Sequence, residues 1–331
     1  MTIEFIPFTS DHLPAAGGIL AARHKRNRQR FPSLPARFED AAVAANAVKT
    51  VFTKKTSFGF AALQKGDLLA YLIGETSSQM WGRCGFVYLP GYGLADVRET
   101  TIMQDLYALI GEEWNRRGCF EHYAYVSAAD ESVIDTFFSL GFGRERADAL
   151  LDLRSLEIPR PKLTGDFEIR RAAKGDEAHL AELSSLIARN QSRAPRWHPF
   201  PPEDLTELAE GWAEIASDPE WTIWMAMQAN EILGSAGFRP LPEEDDDMTL
   251  PPKTTDLTVA AVKESMRGRG IMSALTWYGL RQALENGYEF CLTNWQTANL
   301  LAARTWPRFG FRTVAYRLAR RVNPMIAWAK G

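Results

Sequence analysis

The chain has 331 residues, 46% of them hydrophobic and 24% charged, a balance that fits one large globular domain or two of ordinary size and excludes a disordered chain. A formal net charge of −3 leaves no electrostatic footprint for nucleic acid or an anionic membrane, so the expected partners are small molecules or other proteins. Cys84, Cys119 and Cys291 stand far apart without a CxxC pair or a histidine cluster, so no metal site is expected and all three read as reduced thiols.

Taken in chain order, residues Met1–Leu13 carry early acidic groups and no basic-then-apolar signal pattern, and no apolar run approaches membrane-spanning length. The expectation is a soluble cytoplasmic protein. Lys65-Gly66 followed by the run from Asp67 to Ala70 reads as a β-hairpin, and so does Ala229-Asn230 followed by Glu231–Gly234. Prolines at 159 and 161 interrupt the pattern before a new strand at Phe167–Arg171, which places a joint there and divides the chain into domains 1–156 and 157–331. In the second domain we expect helices at about Glu177–Arg189 and Glu203–Ala216, then strands at Thr222–Gln228, Ile232–Arg239 and Leu257–Val262. Helix Ile271–Asn286, strand Phe290–Asn294, helix Ala298–Phe309 and strand Thr313–Leu318 complete a mixed α/β order.

The two halves repeat. Gly118 aligns with Gly287 and Gly141 with Gly310, both 169 residues apart, with no gap between them. The same offset pairs Ile102-Met103 with Ile271-Met272, Leu106 with Leu275 and Arg98 with Arg267.

Between the strand ending at Val262 and the helix at Ile271 lies Arg267-Gly268-Arg269-Gly270. A glycine turn at a helix N-terminus leaves several backbone N–H groups pointing the same way, which makes an anion site, and the arginines add charge. On the next helix and turn, Asn299, Ala302 and Trp306 share one face ahead of Gly310-Phe311. In this order and spacing the chain from Leu257 onward resembles the GNAT superfamily of acyl-CoA N-acyltransferases, and the repeat extends the resemblance to the first half. The resemblance implies two tandem domains, each a mostly antiparallel sheet whose two central parallel strands splay apart, flanked by helices. The tandem plan is similar to that of mycothiol-synthase-like members, which would make the amine of a thiol precursor the substrate.

By the same resemblance, the backbone of Ala260, Ala261 and Val262 would pair with the pantetheine arm of acetyl-CoA, the co-substrate. Amides of Arg267, Gly268, Arg269, Gly270, Ile271 and Met272 would hold its pyrophosphate, and Asn299 would contact the pantetheine. Two positions depart from the family pattern: Met272 replaces the usual Gly or Ala, and Trp306 stands where many members have a proton-donating tyrosine. An indole N–H is too weak an acid for that task, so water or another residue such as Tyr316 is expected to protonate the thiolate.

In the first half the offset of 169 puts Glu99, Thr100 and Thr101 at the positions of Gly268, Arg269 and Gly270, and Asp130 at that of Asn299. Carboxylates and side chains where a pyrophosphate would lie mark a copy that has lost its cofactor site. Trp81, Tyr88, Tyr92 and Trp114 either line a groove there or belong to the core.

The chemistry expected in the second half is direct attack of a primary amine, on a small molecule or a peptide, on acetyl-CoA. The strand amides around Val262 are the oxyanion candidate, and Asp256 is the first candidate base unless it only caps the hairpin. His198, in a proline-flanked loop, is the second. The acidic run Glu243–Asp247 is either a solvated loop or an attractant for a cationic amine. A non-catalytic acyl-CoA-binding or scaffold protein is the alternative, motivated by Trp306 and Met272.

Overall fold

In the computed structural model, which describes residues 2–78, 82–96, 98–155 and 161–329, the chain divides into two units, each a mixed sheet with helices packed on it. One unit comprises Met1–Asp148, Glu243–Pro251 and Thr313–Gly331; the other comprises Ala149–Pro242 and Pro252–Arg312. The sequence boundary at 156/157 falls outside the described residues, as does Trp81.

The first unit begins with β1 (Glu4–Pro7), α1 (Leu13–Arg30), α2 (Ala41–Phe52) and the hairpin of β2 (Ser57–Gln64) and β3 (Asp67–Ser77). Lys65 and Gly66 take the positive φ that its two-residue turn demands. Asp40 caps α2 by accepting from the amides of Ala42 and Val43 at 2.8 and 3.0 Å. Then follow β4 (Cys84–Val87), β5 (Tyr92–Leu94), α3 (Thr101–Arg116), β6 (Glu121–Ser127), α4 (Glu131–Ser139) and β7 (Gly143–Asp152). The sheet order is β1-β2-β3-β4-β6, with β5 on β3, and it continues into β13 (Arg312–Arg321), which runs antiparallel to β6 from Ala315↔Ser127 to Arg321↔Glu121. Phe8, Leu20, Val48, Tyr71 and Ile73 form the core under α1 and α2, and Leu106, Ile110, Trp114, Val126 and Phe137 form that under α3 and α4.

In the second unit, β8 (Glu168–Arg171) leads to α5 (Glu177–Ser192) and α6 (Pro202–Glu214), then to antiparallel β9 (Thr222–Gln228), β10 (Glu231–Pro240) and β11 (Thr254–Val262). Next come α7 (Ile271–Glu285), β12 (Phe290–Gln296) and α8 (Leu300–Thr305); the short helix α9 (Met325–Ala329) follows β13 and falls with the first unit. From β12 outward the order is β12-β11-β10-β9-β8. Leu180, Leu183, Trp212, Met225 and Ile232 pack as its core.

The repeat is carried by the backbone. β6 and β12, and likewise β7 and β13, begin and end 169 residues apart. β11 starts three residues before its apolar run, because Thr254, Thr255 and Asp256 are buried in a central strand. The helix expected at Ala298–Phe309 stops at Thr305 and tightens into a 3-10 turn, Trp306–Phe309, where Pro307 lacks the N–H an α-helix needs. In the acidic run Glu243, Glu244 and Asp245 are exposed, and Asp246 and Asp247 are partly buried. Met248 and Leu250 behind it are buried, and Arg37 pairs with Glu243 at 3.1 Å. Among the described residues no helix is long and apolar enough to cross a membrane.

Two buried histidines of the first unit are held neutral. His24 Nε2 lies 2.7 Å from the Pro35 carbonyl, and His122 bridges the Tyr107 hydroxyl and the Cys119 carbonyl at 2.8 and 3.0 Å. Burial lowers both pKa values to about 4. The unfolded chain therefore takes up protons first, so stability present above pH 6.5 is lost as pH falls toward 4, by about 3 kcal/mol per histidine. Urea unfolding at pH 7 and pH 4.5 should show this loss, and His122→Gln should remove about half of the pH dependence.

Candidate functional site

β11 and β12 run parallel, but they pair only over Thr254↔Phe290, Thr255↔Cys291 and Asp256↔Leu292. β11 then carries an extra residue against β10: Phe238 faces Leu257 and Gly237 faces Val259, which makes Thr258 a β-bulge. A bulge bends its strand, and beyond it the register with β12 is not resumed. The Lys263 amide donates to Leu233 of β10 at 2.9 Å. Alternate residues of an antiparallel strand send their N–H and C=O groups to the same side, so Ala260 and Val262 direct theirs away from β10, into the gap. The Ala261 side chain packs with the core against α5 and α6.

The gap leads to the glycine loop. Gly268 and Gly270 have φ of +79° and +81°, and Gly270 is the N-cap of α7. Among the described residues Gly268, Arg269, Gly270, Ile271 and Met272 donate no backbone hydrogen bond, so five amides remain for a ligand. The two glycines have different surroundings. A Cβ on Gly268 would meet open space, whereas one on Gly270 would come 2.7 Å from the Lys162 carbonyl oxygen. The Thr164 amide donates to the Arg269 carbonyl at 3.3 Å, so residues 162–164 brace the loop.

Charge is apportioned unevenly along this loop. Burial opposes the Lys263 charge, but Glu182 and Glu231 at 2.6 and 2.8 Å outweigh it and hold its pKa above the usual lysine range. Arg267 lies 3.6 Å from Glu264, which also bonds Arg193 at 3.0 Å. Exposed Arg269 keeps a side chain without a partner among the described residues and is the cation left for an anionic ligand.

Asn299 caps α8, its Oδ1 accepting from the Ala302 amide at 3.3 Å, which leaves its Nδ2 as the donor for a ligand. Trp306 is only 6% exposed and packs with Phe309 and Phe311, so its place is in the core beneath the site. Asp256, at the last paired position, is buried; its Oδ2 accepts from the Thr258 hydroxyl at 2.7 Å, with Arg239 Nε at 3.8 Å. Thr258 is exposed and was missed in the sequence, although the i, i+2 spacing from Asp256 on one strand is its signal. Tyr316 lies in the part of β13 that belongs to the first unit, with the Arg144 guanidinium 4.3 Å from its ring centre. His198 sits in the α5–α6 loop with its ring 5.7 Å from that of Phe200. Within that loop Arg193 reaches Glu264, just past β11, and Arg196 reaches Gln296 at the end of β12 at 2.8 Å. A strap thus joins the ends of the two diverging strands.

The first unit fills the corresponding gap with its own side chains. β4 and β6 pair in parallel from Cys84↔Glu121 to Val87↔Ala124, and then a 3-10 turn at Leu89–Gly91 replaces the continuous strand. Tyr92, at the offset of Ala261, is fully buried, and its hydroxyl donates to Asp130 at 2.7 Å and accepts from the Ser127 amide at 3.2 Å. Arg23 stacks 3.8 Å from the Tyr92 ring centre, lies 3.6 Å from Asp130 and donates to the Leu89 carbonyl at 2.7 Å. Asp130 is thereby a buried structural acid. Tyr92 and Trp114 are core residues and line no groove, and Tyr88 is half-buried.

The Acetyltransferase (GNAT) family model matches residues 185–311, from within α5 to the residue after the α8 turn. Residues 185–311 belong to the GNAT family. The GNAT domain therefore carries the acyl-transfer class of chemistry. A GCN5-related N-acetyltransferase from Sphaerobacter thermophilus superposes with a TM-score of 0.57 at 16% identity, covering 97% of this chain and 96% of that one. A tandem GNAT protein from the clavulanic acid biosynthesis pathway gives 0.50 at 13% identity, covering 98% and 99%. The glucosamine N-acetyltransferase region of a fungal multi-domain GH3 β-N-acetylglucosaminidase gives 0.53 at 13%, covering 96% of this chain and 38% of that one. These likenesses establish the fold, a tandem of two GNAT units. No curated protein matches the chain in sequence.

Replacing either Gly268 or Gly270 with Val should weaken acetyl-CoA binding at least tenfold, because neither φ suits a β-branched residue. Gly268→Val should lower the thermal midpoint through its left-handed φ alone, and Gly270→Val should lower it further through the added clash with Lys162. Calorimetric titration should give one acetyl-CoA per chain; two equivalent sites would overturn the reading of Tyr92 as filling the first gap.

Proposed function

We propose that the second unit is an N-acetyltransferase that moves the acetyl group of acetyl-CoA to a primary amine by direct attack. The observation that carries this reading is the gap between β11 and β12, lined by the backbone of Ala260 and Val262 and ending at five unspent amides. The fit is good on the chain's own terms: open space at Gly268, a left-handed helix cap at Gly270 and an unpaired Arg269 suit a pyrophosphate. Acetyl-CoA supplies the activated thioester.

The amides of Gly268–Met272 hold the phosphates, and the free edge at Ala260 and Val262 aligns the pantetheine with help from Asn299 Nδ2. The Val262 N–H is placed to stabilise the charge that develops on the carbonyl oxygen. The attacking amine must lose a proton as its C–N bond forms and the C–S bond breaks. Thr258 Oγ can accept that proton while passing its own to Asp256, to which it is already bonded. Solvent protonates the departing thiolate, since Trp306 is a buried donor of negligible acidity. The strap at Arg193–Phe200, with Trp197 71% exposed, borders the amine's approach.

The buried Trp306 also favours a second reading, an acyl-CoA-binding protein without turnover. Thiol release from acetyl-CoA in the presence of a panel of primary amines separates the two. Under the enzymatic reading, Asp256→Asn should lower kcat on the order of 100-fold with acetyl-CoA affinity little changed, and Thr258→Val should lower it about tenfold. Trp306→Phe should keep most of the turnover, because only packing is altered. Unchanged kcat in both Asp256→Asn and Thr258→Val would show that the proton leaves by another route.

A further inference from the structure

We propose that the first unit has a binding site of its own for an organic primary ammonium ion, on the sheet face where Phe86, Tyr88, Tyr123 and Tyr125 meet the Asp148 carboxylate. Phe86 links the rings: its centroid lies 4.7 Å from that of Tyr88, 6.1 Å from Tyr123 and 5.7 Å from Tyr125. Such faces attract cations, and the chain's own cations already use them, with Lys54 3.8 Å from the Tyr88 ring centre and Arg317 5.5 Å from that of Tyr123.

Two polar atoms in this cluster remain unused. Asp148 is 4% exposed, and Arg146 donates Nε and Nη2 to the same oxygen, Oδ1, at 3.0 and 2.5 Å. Asp148 Oδ2 is buried with no hydrogen-bond donor, a state that native interiors rarely leave uncompensated. The hydroxyls of Tyr88 and Tyr123 are spent on Glu75 and Glu121 at 2.5 and 3.0 Å, whereas Tyr125 has no hydrogen-bond partner among the described residues. The Arg146 guanidinium that bonds Asp148 also lies 5.8 Å from the Tyr125 ring centre, which ties the carboxylate to the ring cluster.

A primary ammonium supplies what is missing. Its N–H donors can reach Asp148 Oδ2 and Tyr125 Oη, its charge faces the rings and the Asp148 carboxylate, and its carbon chain lies on aromatic surface. A neutral alcohol of the same shape offers one donor and no charge.

The test is calorimetric or saturation-transfer titration of the full chain, without acetyl-CoA, using propylammonium chloride and its neutral counterpart 1-propanol. Propylammonium should bind saturably, and 1-propanol should neither bind nor compete at tenfold excess. Asp148→Asn and Tyr125→Leu should each weaken propylammonium at least tenfold, while Tyr125→Phe, which keeps the ring, should lose less. If Asp148→Asn fails to fold, the two Tyr125 variants decide. Absence of saturable binding, equal binding of 1-propanol, or undiminished affinity in Tyr125→Leu would each overturn the site. None of these readings depends on acetyl transfer by the second unit.

Discussion

The second unit is organised around one interruption of a hydrogen-bond ladder. β11 and β12 pair for three residues and then part, because the bulge at Thr258 bends β11 while it remains bonded to β10. Backbone groups withdrawn from a sheet interior need new partners, and leaving them dry and unpaired is costly. A central strand with one edge open therefore persists only where something extended can lie along that edge. The gap, the glycine loop beyond it and the buried acid at its root follow from this single departure.

The first unit begins with the same interruption and resolves it internally. β4 and β6 pair for four residues, and Tyr92 is then turned inward to bond both the Ser127 amide and Asp130. Arg23 completes the arrangement from α1 by stacking on the ring and facing the carboxylate. One side chain has taken the place that a ligand would take in the other unit, and the unit is closed without one.

Much of this was legible in the sequence, for identifiable reasons. The repeat was visible because β6 and β12, and β7 and β13, keep one offset and similar apolar patterns, so no long-range contact had to be guessed. The loop at Arg267–Gly270 was visible because helix starts and left-handed turns are encoded locally. The end of the β11–β12 pairing was not, since a register is a relation between strands. Thr258 escaped notice although it lies two residues from Asp256, because a threonine in a strand reads as ordinary β-propensity. Arg23 could not be connected with Asp130 or Tyr92, because that contact exists only once α1 has packed on the sheet. The solvent exposure of Glu243–Asp245 follows from the local charge of the run, whereas the burial of Met248 and Leu250 just beyond it depends on contacts the local sequence does not encode.

The closed gap also explains why the first unit could not recover a ligand by a single change. Asp130 occupies the position of Asn299, and substituting Asn there restores an amide donor. Arg23 would then keep its charge while only 3% exposed, with its carboxylate gone. Removing one partner of a buried ion pair costs about 3–5 kcal/mol, far more than the pair itself contributes, because the remaining charge is left without compensation. Removing Arg23 instead strands Asp130 in the same way, and removing Tyr92 frees space but leaves both charges and the Ser127 amide without its hydroxyl. The three residues must change together or stay together. In the second unit Ala261 and Asn299 carry no such obligation, so there the gap can stay open.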